Sequence, residues 1–406
     1  MNVTISPSRL YGTIQAPPSK SMGHRLLIAA GLSDGTSVID GISDSEDMLA
    51  TLDVLRALGA SCEKQGNTVT VRGVDPRCAS SARASCRECG STLRFFIPIC
   101  LLSTAPVTLL GSPRLFARPL GIYEDICREQ GLTFDRRETE VSLCGALRAG
   151  DYRIPGDVSS QFISGLLFAL PFCDGDSTLT LIPPVESRSY IDMTLSALAA
   201  FGIKAAWRDE LTLTVPGGQT YRAAHARVEG DCSNAAFFLA LQALGMDVRV
   251  TDLPSDTHQG DAVCAEYFTR LNNGCPTLSV ADCPDLAPIL MAVAAAKQGC
   301  VLTDTARLRI KESDRGAAMS EELAKLGVRV DVEENRITVY GGTLHAPREP
   351  LSGHNDHRIV MALCTLLTLV GGTIRGAQAV RKSLPDYFDM LRALGAGLHI
   401  EEAASI

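Results

Sequence analysis

The chain has 406 residues, of which 46% are hydrophobic and 21% are charged, and its formal net charge at pH 7 is −8. This composition is typical of a globular protein with enough apolar mass for two domains. The negative balance argues against nucleic acid or an acidic membrane surface as the partner, because both repel a broadly negative face. We therefore expect no nucleic-acid or membrane partner, and any local group of cations needs a local anion.

The N-terminal residues lack the basic start and apolar core of a secretory signal. The longest apolar stretches, such as the one that begins at Met361, run about 12 residues, well short of the roughly 20 that a membrane-spanning helix needs. We expect a soluble, cytoplasmic protein.

The 14 cysteines lie in apolar runs or scattered loops, and a chain of this length does not need a disulfide framework. We expect them to be reduced. Cys86 and Cys89 form a C-x-x-C pair, but no second pair of cysteines or histidines stands at zinc spacing, so no metal site is predicted.

One sequence pattern recurs six times: an apolar helix, a short strand, a second helix and an alternating strand. The first helices are predicted to begin near residues 19, 90, 159, 233, 285 and 356. The second helices follow near residues 52, 123, 194, 267, 321 and 388, with closing strands near 67, 139, 211, 276 and 336. The first helices are apolar on nearly every face, which predicts that they are buried. The pattern favours globular α/β units, three to each domain.

The last copy ends at the C-terminus without a closing strand, so the segment 2–8 at the N-terminus is predicted to supply it. The chain would then begin in one domain, cross into a second and return. The predicted domains are residues 14–225 and the discontinuous set 1–13 plus 226–406.

Cations stand at three of the six first-helix starts: Lys20 with Arg25, Arg94, and His357 with Arg358. The helix dipole repels cations at this end, whereas an anion is attracted to the unpaired N–H groups there. A solvated first turn is the ordinary explanation for any one of these cations. Their recurrence favours an anionic ligand.

Other polar residues near predicted helices have two readings each. Ser159, Ser160 and Gln161 could donate hydrogen bonds to phosphate oxygens, or could form an ordinary helix cap. Asp285 could be a cap or a base. Glu312 lies in a charge run that could be a solvated face or could hold a proton carrier.

Further candidates lie in loops and turns, namely Lys311, Arg315, Arg118, Lys382, Ser187 and Tyr190. Loop cations are common in proteins. Together with the helix starts, however, these residues predict a cleft between the two domains that holds more than one anionic group and closes over it.

Five segments, "PPSKSMGHR", "SSQ", "RIKESDR", "NDHR" and "KSLPDYF", occur in the order that is characteristic of the 3-phosphoshikimate 1-carboxyvinyltransferase (EPSP synthase) family. The chain resembles this family from residue 16 to about residue 388. The resemblance implies an α/β fold of two domains, each with three βαβαββ units around buried helices, like an inside-out α/β barrel.

The resemblance also implies an activity: transfer of the enolpyruvyl group of phosphoenolpyruvate to the 5-hydroxyl of shikimate 3-phosphate, with release of phosphate. This is a step in the biosynthesis of chorismate and the aromatic amino acids. No metal or organic cofactor is implied, the only partners are these two small-molecule substrates, and we expect a monomer.

By similarity, two groups of residues bind the substrates and a third carries the proton transfers. Those for shikimate 3-phosphate are Lys20, Ser21, Arg25, Ser159, Ser160, Gln161, Ser187, Tyr190, Asp285 and Lys311. Those for phosphoenolpyruvate are Lys20, Gly90, Arg94, Arg118, Gln161, Arg315, His357, Arg358 and Lys382. The expected acid–base residues are Asp285, near the 5-hydroxyl, and Glu312, near the methyl group, with Lys20 as a third candidate.

The sequence departs from the family pattern at a few positions. Glu88, Cys89 and Ser91 alter the loop around Gly90, and Arg307 stands where many relatives carry Asn. Two alternatives have some of the same features. A UDP-N-acetylglucosamine enolpyruvyl transferase has the same fold but a reactive Cys where this chain has Pro113. A non-catalytic anion-binding protein is disfavoured because the candidate acid–base residues are all present.

Overall fold

The computed structural model describes residues 1–402. The chain divides into two compact units. The central unit is Lys20–Glu229, and the terminal unit combines Met1–Ser19 with the residues from Gly230 onward. Each unit has its own hydrophobic core.

Short strands and helices alternate along the whole chain. The strands are β1 (Asn2–Ser6), β2 (Tyr11–Gln15), β3 (Thr36–Asp40), β4 (Ser61–Gln65), β5 (Thr68–Arg72), β6 (Ala82–Ser85), β7 (Val107–Leu110), β8 (Thr133–Arg136), β9 (Glu140–Cys144), β10 (Asp151–Pro155), β11 (Ser177–Ile182), β12 (Ala206–Trp207), β13 (Thr212–Val215), β14 (His225–Arg227), β15 (Asp247–Thr251), β16 (Thr277–Ser279), β17 (Gly299–Thr303), β18 (Val330–Val332), β19 (Arg336–Tyr340), β20 (Leu351–Ser352), β21 (Gly372–Arg375) and β22 (Gly397–Glu401).

The α-helices are α1 (Lys20–Gly31), α2 (Glu46–Ala57), α3 (Gly90–Cys100), α4 (Pro113–Phe116), α5 (Gly121–Gln130), α6 (Ser160–Ala169), α7 (Arg188–Ala200), α8 (Cys232–Ala243), α9 (Cys264–Asn272), α10 (Ala287–Ala295), α11 (Arg315–Lys325), α12 (His357–Val370) and α13 (Tyr387–Ala393). Short 3₁₀ helices span Pro76–Cys78, Leu170–Phe172, Gly260–Val263, Pro284–Leu286, Ala306–Ile310 and Ala377–Lys382.

The unit boundaries lie a few residues beyond the predicted ones, and strand pairing explains the difference. β2 pairs in parallel with β15, which keeps the chain in the terminal unit past residue 14. β14 pairs in parallel with β3, which keeps residues 226 and 227 in the central unit.

The strands of the described residues form six sheets, three in each unit. Five are four-stranded and share one pattern, in which a parallel pair is followed by two antiparallel neighbours, as in the order β10-β11-β13-β12. The sixth sheet contains only β2 and β15. The predicted α/β fold of repeated units is therefore confirmed, with one reduced copy.

Two predictions about strands had different outcomes. The N-terminal strand β1 pairs with β21 and β22, so it does complete the last copy. The prediction that the strand near residue 276 closes the fourth copy is wrong, because β16 pairs in parallel with β17 and so begins the fifth copy of the repeat. An isolated strand pattern does not reveal which neighbour it will pair with.

The six predicted first helices are α1, α3, α6, α8, α10 and α12, and they are largely buried. In α10 every residue is buried, as its uniformly apolar sequence predicts. No helix within residues 1–402 combines the length and the apolar character needed to cross a bilayer.

In the central unit, α3 and α6 approach closely at Gly165. A Cβ at this position would lie 2.3 Å from the Tyr123 hydroxyl and 2.6 Å from the Arg94 carbonyl oxygen. The same hydroxyl lies 2.8 Å from the Arg94 carbonyl oxygen and 3.1 Å from that of Phe162, so the two carbonyls share its single proton. Gly165 is thus required for the backbone-to-backbone contact of the two helices.

Candidate active site

In the terminal unit, Arg315 lies at the centre of a cluster of carboxylates. It is the first residue of α11, and its side chain is only 2% exposed. Its guanidinium donates to Asp285 Oδ1 at 2.7 Å, to Glu312 Oε2 at 2.8 Å and to Asp356 Oδ2 at 2.9 Å. Burial alone lowers the pKa of Arg315, but the three carboxylates raise it well above its usual value. The cation is therefore permanent and fixed in direction.

Asp285 contacts three cations. It lies in the 3₁₀ turn before α10, where its Oδ2 accepts from Arg358 Nη2 at 2.9 Å and its Oδ1 lies 3.5 Å from Lys311 Nζ. No side-chain capping bond is formed at the start of this turn or of α10, so the reading of Asp285 as a helix cap is wrong. Burial raises the pKa of Asp285, but Arg358, Lys311 and Arg315 together lower it well below its usual range. The carboxylate is ionised.

Three buried helix starts meet at the side chain of Arg358. This residue follows His357, and both are buried in the first turn of α12. Besides Asp285, the guanidinium donates to Ser233 Oγ in α8 at 2.7 Å. Asp356 caps the same helix, because its Oδ1 accepts from the Arg358 backbone N–H at 2.9 Å. Arg315 and Arg358, both predicted site residues, are therefore held within one network of carboxylates.

Two more predicted residues border this network. Lys382 ends a 3₁₀ helix, is buried, and donates from Nζ to the Asn355 carbonyl at 2.8 Å. Lys311 is partly buried, and burial lowers its pKa even though Asp285 opposes the shift. Arg307 is also buried, where it donates to the Ala281 carbonyl at 2.6 Å.

Sequence reasoning missed two acids of this cluster. Asp356 lies within the quoted "NDHR" segment, but it was not assigned a role. Asp261 lies in the 3₁₀ helix Gly260–Val263 and belongs to none of the sequence motifs described above. Burial first, and then the charge of Asp285, raise the pKa of Asp261 to about 6. No local pattern could have found Asp261, because its partners come from distant segments.

In the central unit, Lys20 is the first residue of α1, as predicted. Its Nζ lies 2.9 Å from Asp47 Oδ2, and both side chains are 15% exposed. Asp47 is in the first turn of α2, where an acidic residue suits the helix dipole. Sequence reasoning assigned no role to Asp47. The pair holds the Lys20 ammonium beside the start of a buried helix.

Arg25 is buried one turn further along α1. Its Nε donates to Thr194 Oγ1 at 2.8 Å, and its terminal nitrogens donate to the carbonyls of Ser21 at 2.7 Å and Tyr190 at 2.9 Å. These bonds use three of its five N–H groups. Burial lowers the pKa of Arg25 to about 10, so it stays charged at neutral pH. Ser21, Arg25 and Tyr190 are thus brought together.

A second group in this unit surrounds the start of α3. Arg94 Nη1 donates to Gln161 Oε1 at 2.7 Å, and Gln161 Nε2 donates to Ser91 Oγ at 2.9 Å. Arg118 packs against Gly90 so closely that a Cβ there would lie 2.6 Å from its Nη1. Gly90, Arg94, Arg118 and Gln161 therefore form one compact group.

Three of the four candidate serines, Ser159, Ser160 and Ser187, lie at the starts of two helices. Ser159 caps α6 by accepting from the Gln161 N–H at 3.3 Å, and Ser160 is the first, buried residue of that helix. Ser187 precedes α7, is buried and has a left-handed backbone with φ of 57°. Tyr190 follows in the first turn of α7. The capping explanation therefore holds for Ser159, and it leaves the side chain of Ser160 for another role.

The fold is shared with solved enolpyruvyl transferases. The structure matches EPSP synthase from Acinetobacter baumannii with a TM-score of 0.81 at 22% identity, covering 99% of this chain and 100% of that one. It matches the enolpyruvyl transferase NikO from Streptomyces tendae with a TM-score of 0.74 at 16% identity, covering 98% of each chain. The chain thus has the fold of the enolpyruvyl transferases.

Sequence comparison then identifies the family. The model of the EPSP synthase (3-phosphoshikimate 1-carboxyvinyltransferase) family matches residues 5–275 and 272–391. Relatives named 3-phosphoshikimate 1-carboxyvinyltransferase are 37% identical in Clostridium kluyveri, over 97% of both chains, and 35% identical in Clostridium botulinum, over 97% of this chain and 98% of the relative. The chain belongs to the EPSP synthase family. The predicted resemblance is confirmed, and neither alternative is favoured.

Proposed function

We propose that this chain transfers the enolpyruvyl group of phosphoenolpyruvate to the 5-hydroxyl of shikimate 3-phosphate and releases phosphate, and that the residues described above carry the reaction. Membership of the family supports the activity. The observation that carries the assignment of residues is the Arg315 cluster, because it joins two fixed guanidinium cations to a carboxylate that can accept a proton.

We assign shikimate 3-phosphate to hydroxyl and cationic groups, chiefly of the central unit. Ser160 and Ser187 are buried hydroxyls at helix starts, where backbone N–H groups favour a phosphate. The complete proposed set is Lys20, Ser21, Arg25, Ser159, Ser160, Gln161, Ser187, Tyr190, Asp285 and Lys311.

We assign phosphoenolpyruvate to a largely cationic set, because its phosphate and carboxylate together carry several negative charges. Arginine suits both groups, since its planar fork binds two oxygens at once. The complete proposed set is Lys20, Gly90, Arg94, Arg118, Gln161, Arg315, His357, Arg358 and Lys382.

The proposed chemistry needs three proton movements. A proton is added to the methylene carbon of phosphoenolpyruvate, with Glu312 and Lys20 as the candidate donors. Asp285 takes the proton of the 5-hydroxyl while the oxygen of that hydroxyl bonds to the cationic carbon. Glu312 then removes a proton from the new methyl group, and phosphate leaves with the electrons of its C–O bond. Fixed cations around the phosphate stabilise the charge that develops on it.

The ion pairs around Asp285 suggest how the base becomes effective. With Arg315 and Arg358 both bound to its oxygens, its pKa is well below the usual range and it is a weak base. In our proposal, the negative charges of bound phosphoenolpyruvate lie close to these fixed guanidinium groups and offset their effect on Asp285. Asp285 then loses part of its cationic shielding, and its pKa rises toward that of an effective base.

The direct test mixes purified protein with phosphoenolpyruvate and shikimate 3-phosphate and measures phosphate release. We expect release that requires both substrates. UDP-N-acetylglucosamine as the acceptor is the control for the alternative transferase, and should give none. Absence of release with shikimate 3-phosphate would contradict the proposal. The cytoplasmic location and the monomeric state stay predictions, which cell fractionation and light scattering would check.

A further inference from the structure

Three side chains of different chemistry converge in the central unit beside Lys20. His24 belongs to α1, Asp47 to α2, and Cys89 is the N-cap of α3. One potential ligand atom from each lies within 4.8 Å of the other two. His24 and Cys89 are buried, at 1% and 2% exposure. An imidazole, a carboxylate and a thiol from three helices are thus directed at one small volume.

The imidazole of His24 is oriented by a chain of hydroxyls. Its Nδ1 lies 2.7 Å from Thr51 Oγ1, which in turn lies 2.9 Å from Thr92 Oγ1. Its Nε2 lies 3.8 Å from Cys89 Sγ. Histidine ligands of metals are oriented in this way, with one ring nitrogen bonded to an outer polar group and the other directed at the ion.

We propose that His24, Asp47 and Cys89 bind one thiophilic divalent cation, of which Zn²⁺ is the best match, and that the bound cation inhibits the enzyme. Zinc bonds of about 2.3 Å to sulfur and about 2.0 Å to nitrogen place the two atoms about 3.5 Å apart in a tetrahedron. The observed separation is 3.8 Å. On binding, the Cys89 S–H bond breaks, its proton goes to solvent and an Sγ–Zn bond forms. The thiolate and carboxylate then balance the charge of the ion.

The inhibition follows from the position of Lys20. The Lys20 Nζ lies 2.9 Å from Asp47 Oδ2. A cation bound to Asp47 competes with the ammonium for the carboxylate and repels it. This part of the inference rests on the function proposed for Lys20, whereas the binding of the cation does not.

No motif in the sequence predicts this site. The C-x-x-C pair suggested Cys86 as the partner of Cys89, but the ligand set contains His24 instead, 65 residues away in the chain. Only the packing of α1 and α2 against the start of α3 brings the three residues together.

Binding is tested with Co²⁺, which gives a thiolate-to-metal charge-transfer absorption when bound to a cysteine. We expect the band in the unmodified protein and its loss when Zn²⁺ is added. Cys89→Ser should abolish it. Cys78→Ser, which changes an exposed cysteine of the same unit, should keep it. No band at all, or a band that survives Cys89→Ser, overturns the proposal.

Two further variants guard against a folding defect in Cys89→Ser. Asp47→Asn removes a ligand that is only partly buried, and should weaken Co²⁺ binding. Thr51→Val removes the group that orients His24 and should weaken binding about tenfold or more, as outer-shell changes do. Unchanged affinity in both variants would contradict the ligand set.

Inhibition is tested by measuring phosphate release with Zn²⁺ and then with a chelator. We expect Zn²⁺ to lower the rate of the unmodified protein and the chelator to restore it. For Cys89→Ser, the rate of phosphate release should be the same with and without Zn²⁺. A cobalt band without inhibition would overturn the inhibitory role. If the protein releases no phosphate at all, the proposed function fails, and the cobalt result still decides whether the site exists.

Discussion

Arg315 and Asp356 form an ion pair from which water is excluded: Nε lies 2.9 Å from Oδ2, and the two side chains are 2% and 0% exposed. Burial raises the pKa of Asp356, but Arg315 outweighs it and holds the pKa below the usual value. The same aspartate caps α12 and accepts from Ser313 Oγ at 3.0 Å. The ion pair thus fixes the position of the Arg315 cation and also the start of α12, the helix that carries Arg358.

Arg315→Met should destabilise the protein by about 3–5 kcal/mol, because it leaves a buried carboxylate without its cation. Urea unfolding followed by circular dichroism measures the change. Arg309→Met, which alters an exposed arginine nearby, should have little effect.

In the unmodified protein, the lowered pKa values of Asp285 and Asp356 give stability above about pH 4 that is lost as the pH falls through their folded values. The free energy of unfolding of Arg315→Met should fall less on acidification than that of the unmodified protein. An identical pH dependence of the two proteins would contradict this account.

Lys20→Met should reduce turnover to near background, because the charge at the start of α1 and a candidate proton donor are both removed. Steady-state phosphate release is the measurement. Lys204→Met changes an exposed lysine of the same unit and should keep normal activity. Near-normal turnover in Lys20→Met would refute the role of this residue.

Glu312→Gln should lower kcat by at least tenfold and change the affinity for shikimate 3-phosphate much less. The amide keeps the size of the side chain but cannot carry the proton. Rapid-quench kinetics give the rate of the chemical step, and calorimetry gives the affinity. Equal losses in both quantities would indicate a binding role instead.

Gly90→Ala should raise KM for phosphoenolpyruvate more than KM for shikimate 3-phosphate. The added methyl would lie 2.6 Å from Arg118 Nη1 and 3.4 Å from Arg94 Nη1, so the Arg118 guanidinium must move. Gly121→Ala is the matched control, since a Cβ there has no atom within 4 Å. An unchanged KM for phosphoenolpyruvate would show that Arg118 does not contact this substrate.

Asp261 should make stability depend on pH in the opposite direction to the ion-paired acids. Its folded pKa of about 6 is above the ordinary value of 3.8, so the folded state binds its proton more tightly. The contribution to stability is complete below about pH 4 and is lost as the pH rises through 6. Asp261→Asn should remove this loss, as measured by urea unfolding between pH 4 and 7. Asp256→Asn, at an exposed position, should keep it.

The parts of the fold that the sequence predicted are those that depend on local patterns. Continuous apolar runs located the buried helices, including α10, and the incomplete last copy located β1. The partners of the site residues could not be predicted in the same way. Asp47, Asp261 and Ser233 meet Lys20, Asp285 and Arg358 only through packing between distant segments. The same limit explains why the residues around Asp285 in the chain left both a cap and a base open for it.

The close contact of α3 and α6 at Gly165 links the interior of the central unit to Arg94 and Gln161, which we assign to phosphoenolpyruvate. Arg94 and Gln161 extend from these two helices, and their 2.7 Å bond spans the gap between them. A side chain larger than hydrogen at position 165 would spread the helices and misalign both residues. Under the assignment of Arg94 and Gln161 to phosphoenolpyruvate, a substitution at this buried glycine would therefore lower the affinity for an inhibitor that mimics that substrate, although residue 165 itself does not touch the inhibitor.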